Sequence, residues 1–236
     1  MSKRNAGGDL RRFYITFGVV AVVGIGAVGY SVGSRALGGA VSEPVELEGA
    51  DDIRRLTEMA VGVTVGEEDA PVTIIVFGDY LCTHCSVFSL RERPQVLSNY
   101  VETGKAKLTF YDFPLNPQLG SFISARAARC AGDQGRFWEF HDLLYRNQMT
   151  WGTSSDQISA FQDYAEQLGL DARDFRGCVN SDRHAEVVTA NLELARALGL
   201  AGTPTVLVGT GDGMSQRLPS YDFLTIQRAV ESILGG

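Results

Sequence analysis

The sequence predicts an α/β layered domain with a helical insert, preceded by a membrane-spanning helix. Three observations carry this. Val72-Thr-Ile-Ile-Val-Phe77 is a β-branched run between Pro71 and Gly78 and reads as a buried strand. Residues 119–200 read as mostly helical, and a further β-branched run follows them at Thr205-Val-Leu-Val208. Residues 13–34 contain no charge.

Taken in order, residues 1–12 form a basic tail. Lys3, Arg4, Arg11 and Arg12 oppose Asp9, a net of +3, so the other 224 residues carry −10 of the total −7. The 22 uncharged residues 13–34 would span roughly 33 Å as a helix, against a hydrocarbon core of about 30 Å. Basic flanks belong on the cytoplasmic side, so a single-pass anchor in the cell membrane places the rest of the chain outside. The alternative is a cleaved signal, with Gly38 and Ala40 near the cut, and a secreted or periplasmic product. Gly29-Tyr-Ser-Val-Gly33 fits a helix-packing spacing, but glycine is frequent in this run. Residues 35–52 read as a linker, with Gly38, Gly39, Pro44 and three glutamates. The domain proper spans 53–235.

Within it, Val72–Phe77 is the first strand and a helix follows Cys82, with Pro94 set to kink or break it. Lys107-Leu-Thr-Phe-Tyr111 alternates and reads as the second strand. The insert, about 119–200, divides into candidate helices at 120–132, 135–147, 155–168, 171–178 and 182–198. Gly169 and Gly199 stand where C-terminal glycines stop two of them, each followed by a leucine. Thr205–Val208 is the third strand, Gly209–Gly213 a turn and Met214–Leu218 a fourth strand. Ser220 is placed to cap a last helix that runs to about Leu234. A parallel strand pair with a crossover helix and a closing hairpin is a layered α/β arrangement.

Composition narrows the function. An acidic body lacks the clustered Lys and Arg that phosphate contacts need, so nucleic-acid binding is not expected. Four cysteines, Cys82, Cys85, Cys130 and Cys178, are too few for a disulfide-dense scaffold. Cys82-Thr83-His84-Cys85 follows a strand and opens a helix. A thiolate there meets unpaired N–H groups and the positive end of the helix dipole, which lowers its pKa. A protonated His84 acts in the same direction. Cys82 is thus the candidate nucleophile, and Cys85, one turn on, the shielded resolving thiol. Zinc needs four ligands, and neither His141 nor His184 completes a set. A disulfide across two residues closes almost no chain, so a purely structural role fits poorly. Neither metal nor cofactor is expected. Gly202-Thr203-Pro204-Thr205 is the second element. A cis bond before Pro204 would bring a turn to the thiols and leave the Thr203 backbone free for a substrate strand, but X–Pro bonds are mostly trans.

Cys130 and Cys178 admit two readings from the residues alone: buried free thiols, or a pair that oxidises in an exported protein. His141 reads as a hydrogen-bonded structural histidine and His184 as solvated. Phe137, Trp138, Phe140 and Tyr145 read as core.

Across residues 53–235 the chain resembles the DsbA-like branch of the thioredoxin superfamily. The resemblance rests on Asp69-Ala-Pro-Val-Thr-Ile-Ile-Val-Phe-Gly-Asp79-Tyr-Leu-Cys82-Thr-His-Cys85, on Phe137-Trp-Glu-Phe-His141-Asp-Leu-Leu-Tyr145 and on Gly202-Thr-Pro-Thr205. It implies a thioredoxin-like fold with a helical insertion domain. It also implies a cis Pro204, and an exported thiol–disulfide oxidoreductase that introduces disulfides into reduced, unfolded exported proteins through Cys82–Cys85. Thr83, His84, Thr203 and Pro204 would support the site. A membrane redox partner would reoxidise the enzyme, and Cys130–Cys178 would be a structural bridge. The same fold also serves reduction or isomerisation, or, without catalysis, exported peptide binding. Two departures stand out. Relatives often carry a buried acid six residues before the first cysteine, where this chain has Val76, and alternation aims Asp79 elsewhere. Thr83 stands where proline is frequent.

Overall fold

Five strands form one sheet in the order β1-β3-β2-β4-β5 in the computed structural model, which describes residues 40–210 and 215–235. The centre is β2 (Val72–Gly78), whose Val72, Ile74 and Val76 are buried. An apolar run of this kind suits a strand covered on both faces. It pairs in parallel with β3 (Ala106–Asp112) and antiparallel with β4 (Thr205–Thr210). Two short strands close the edges: β1 (Val63–Val65) on β3, and the exposed β5 (Ser215–Arg217) on β4.

The β2–β3 crossover begins with α2 (Thr83–Val87) and stays helical to Val101. It passes a π-helical turn (Phe88–Glu92), α3 (Arg93–Val96) and a second π turn (Leu97–Val101). Pro94 therefore neither breaks nor ends it. The register widens just ahead of the proline, where the Arg93 N–H reaches back to Phe88, and Pro94 itself has no N–H to satisfy.

The insert holds α4 (Ser121–Gly132), α5 (Phe137–Arg146), α6 (Gln148–Trp151), α7 (Gln157–Gln167), α8 (Ala172–Val179) and α9 (Ala185–Ala197). Gly169 and Gly199 take φ of 71° and 66°, and the next leucines donate back to Ala165 and Ala195 at 3.0 Å. That is the helix stop the glycine–leucine pairs predict. The last helix, α10 (Phe223–Leu234), is capped by Asp222, which accepts from the Thr225 N–H at 3.0 Å. Ser220 instead accepts from Asp222 N–H, one step outside the helix. Gly209 lies within β4, opposite Thr73, so the expected turn starts later. Ahead of the sheet, α1 (Ile53–Met59) is capped by Asp52. Ala40, Val41 and Val45 of the expected linker pack on the core.

Two buried polar clusters brace the insert, and the second reaches the sheet at β3. Arg126 is fully buried and donates to the carbonyls of Val41, Cys178, Val179, Ser181 and Arg183. Arg129 meets Asp112 at 2.6 Å, and Asn191 donates to the same carboxylate oxygen at 3.1 Å.

The membrane-spanning helix expected at 13–34 lies outside the described residues. No helix among the described residues is long and apolar enough to cross a membrane. The expected fold is corrected accordingly: the described residues form the thioredoxin-like domain with its helical insert, and no transmembrane helix is found among them. The single-pass membrane location drawn from that helix loses its structural basis with it.

Candidate active site

Cys82 is the N-cap of α2, with its backbone still extended and its sulfur turned to the helix's first amides. Asp79 sets this geometry. Its carbonyl accepts the Cys82 N–H at 3.0 Å, and its carboxylate accepts the N–H groups of Leu81 and Leu115, both at 2.8 Å. An aspartate that binds its own chain two residues on makes a local turn, and here that turn starts the helix. Gln148 steadies the same stretch from α6, donating to the carbonyls of Tyr80 at 2.7 Å and Cys82 at 3.0 Å.

The two thiols sit in unlike surroundings. Cys82 is partly exposed and Cys85 is 2% exposed. The Cys82 thiolate is stabilised chiefly by the Cys85 thiol, which offsets its partial burial. The Thr203 side chain and the N–H groups of Cys85 and His84 add to this, and its pKa falls from 9.0 to about 5. The Cys85 N–H lies 3.3 Å from the Cys82 sulfur. Cys85 is pushed the other way, well above 9.0, by burial and then by Cys82. One thiol is therefore an anion at neutral pH and the other a proton carrier.

Thr203 and Pro204 come from the turn before β4, far away in sequence. The Thr203–Pro204 bond is cis, and the Cys82 sulfur lies 3.2 Å from the Thr203 carbonyl, to which it donates when protonated. Thr83 is exposed on the first turn of α2. The His84 ring reaches across to the Tyr221 hydroxyl, 2.8 Å from Nδ1. The structure thus gathers Cys82, Cys85, His84, Thr203 and Pro204 at one end of β2, with Thr83 at the rim.

Two side chains here have no local signature in the sequence. Gln148 and Tyr221 enter from distant elements. Asp79 carries a signal, an aspartate three residues before the first cysteine, but strand alternation misdirects it because β2 has already ended at Gly78. Asp79 is buried, and its pKa rises from 3.8 to about 6, mainly by desolvation and partly by Cys82. Val76 is buried apolar core.

Cys130 and Cys178 form a disulfide between α4 and α8, with Cα atoms 5.8 Å apart. The His184 nitrogen and these sulfurs lie within 4.8 Å of one another, but both sulfurs are spent on each other. His184 is not simply solvated. It has φ 64° and its Nε2 lies 3.0 Å from both oxygens of Asp133. His141 is buried between Tyr80 and Ser89, hydrogen-bonded at 2.9 Å and 2.8 Å, with its pKa driven well below 6.5 by burial.

A family model described as thioredoxin matches residues 58–216. A probable disulfide bond formation protein D of Bacillus cereus is 25% identical over 227 residues, covering 93% of this chain and 94% of its own. A putative protein-disulfide oxidoreductase of Rickettsia typhi is 26% identical over 173 residues, covering 73% of this chain and 62% of its own. The crystal structure of BdbD from Bacillus subtilis superposes with a TM-score of 0.66 at 23% identity, covering 84% of this chain and all of that one. The match to the family runs unbroken from before the sheet, through the two-cysteine turn and the insert, to the closing hairpin. The chain belongs to the thioredoxin superfamily, in its DsbA-like family of thiol–disulfide oxidoreductases, and is an enzyme of that class.

Proposed function

We propose that this enzyme exchanges thiols and disulfides with exported proteins through Cys82 and Cys85. The observation that carries this reading is the opposite ionisation of the two thiols: Cys82 lowered to about 5 and Cys85 raised well above 9.0. In the oxidising direction, a substrate thiolate attacks the Cys82 sulfur of the Cys82–Cys85 disulfide. The S–S bond breaks, and Cys85 leaves as a thiolate and takes a proton. The substrate's second thiolate then attacks its own sulfur in the mixed disulfide and releases Cys82 as a thiolate. The substrate gains a disulfide and the enzyme becomes a dithiol. Stabilising that thiolate stabilises the reduced enzyme, which makes its disulfide a stronger oxidant. A membrane redox partner then restores the disulfide.

Exchange as such is better supported than a strictly oxidative direction. A reductase or isomerase starts from the dithiol form: the Cys82 thiolate attacks a substrate disulfide and Cys85 resolves the mixed species. The Bacillus relative is named for disulfide formation, the Rickettsia relative only for disulfide oxidoreduction. Extended, unfolded substrates suit the surroundings. Leu115 and Met149 are 41% and 77% exposed; Leu115 is bonded to Asp79, and Met149 follows the glutamine that holds Cys82. A peptide backbone can add along the Thr203–Pro204 edge.

Two experiments test this. Cys82→Ser abolishes exchange with a reduced, unfolded protein, and Cys85→Ser accumulates the mixed disulfide; full activity in Cys82→Ser would end the reading. Equilibration with glutathione buffers gives the direction. A potential more oxidising than glutathione assigns disulfide formation, and one far more reducing assigns reduction.

A further inference from the structure

We propose that Tyr221 is a positioning residue of the reaction: its hydroxyl pins the His84 ring across the mouth of the site and so sets how firmly the Cys82 sulfur is held as a thiolate. Tyr221 stands in the turn between β5 and α10, 137 positions from His84, and its hydroxyl lies 2.8 Å from Nδ1. This is the one hydrogen bond of the His84 ring among the described residues. The tyrosine is itself fixed. Its ring meets Phe88 edge-on with centroids 6.5 Å apart. The next residue, Asp222, caps α10, and the Phe223 N–H is held by Glu92 at 2.8 Å. The tyrosine is thus a fixed post, while His84 is an exposed side chain on the first turn of α2.

A phenol can hold this ring in either charge state. It donates to Nδ1 of the neutral imidazole and accepts from Nδ1–H of the imidazolium. Its own pKa is raised, by burial first and then by the charges of Cys82 and Cys85, so it remains a protonated partner lying within the field of both sulfurs. His84 is covalently one residue from Cys85, and its backbone N–H is one of the groups that hold the Cys82 thiolate. Pinning the ring keeps that N–H from moving away when the sulfur changes between disulfide and thiolate.

The proposal rests on Cys82–Cys85 being the exchanging pair, and the two can fail separately. Thiolate formation is titrated by ultraviolet absorbance without any substrate, so it tests Tyr221 even if the wild-type protein exchanges nothing. Tyr221→Phe keeps the ring and its contact with Phe88 and removes the hydroxyl. The expected result is an upward move in the Cys82 titration. The glutathione equilibrium shifts toward the disulfide form by roughly 3- to 10-fold, the scale of one hydrogen bond. In a His84→Ala background the same Tyr221→Phe change has no further effect, because the partner through which it acts is gone. An unchanged titration in Tyr221→Phe overturns the proposal. So does an equal shift with and without His84, which would mean that the hydroxyl acts through another route.

Discussion

Cys82 and Cys85 stand one helical turn apart, yet their protons behave in opposite ways because one sulfur is surrounded by donors and the other by apolar core. The pH dependence follows. The Cys82 pKa is depressed from 9.0 to about 5 in the fold. Its contribution to the stability of the reduced protein is fully present above pH 9 and is lost as pH falls through about 5. Alkylation of Cys82 therefore climbs to its plateau around pH 5 to 6, whereas an ordinary thiol climbs near pH 8 to 9; rates measured from pH 4 to 9 check this. Asp79 has the reverse sign. Its pKa is raised from 3.8 to about 6, so its stabilising effect is fully present below pH 3.8 and is lost as pH rises through 6. Asp79→Asn removes that slope. Denaturation midpoints of wild type and variant should diverge in the variant's favour between about pH 4 and pH 6, on top of a constant loss from the amide's weaker hold on Leu81 and Leu115. Parallel curves would show that the carboxyl does not titrate in this range. At this scale the sequence names the two cysteines, since spacing and strand–helix context suffice, and Thr203 comes only with the family resemblance. Asp79 is misread because the chain turns one residue earlier than strand alternation assumes.

Elements were legible in proportion to their length. The five longer insert helices fall within a few residues of their expected bounds, and two end on glycines with a leucine behind. Short elements have too few residues for a period: α1, β1 and α6 leave no such trace, and α6 is the one that supplies Gln148. Pro94 suggests a break, but local π turns absorb it. The Cys130–Cys178 link acts at this scale too. It joins α4 to α8 across 48 residues, a closure that stabilises by roughly 4 kcal/mol on a chain-entropy model. Replacing both with serine should lower the unfolding free energy from urea titration by about that amount while leaving exchange at Cys82–Cys85 intact. Loss of exchange in the folded double variant would give this pair a part in the chemistry.

Buried charge braces the insert, to the sheet through Arg129 and Asp112 and within itself through Arg126, and no sequence pattern announces either. Arg126 sits in an Ala-rich helix and looks like a solvated residue, yet five backbone carbonyls from the 178–183 turn and from Val41 converge on it. Burial lowers its pKa to about 10. Arg126→Ala would leave those carbonyls without a donor, and a loss of roughly 3 kcal/mol or more in urea unfolding is expected; a loss under about 1 kcal/mol would mean that water replaces the guanidinium freely. Arg129 fixes α4 to β3 through Asp112, and Gln148 of α6 reaches the two-cysteine turn, while β4 carries Thr203 in from the other side. The most direct test of the whole arrangement is a redox titration of the protein against glutathione, with each cysteine's state read by alkylation and mass spectrometry. Cys82 and Cys85 are predicted to convert together between disulfide and dithiol while Cys130–Cys178 stays closed throughout. Conversion of Cys130–Cys178 over the same range, or a Cys82–Cys85 pair that never exchanges, would contradict the account.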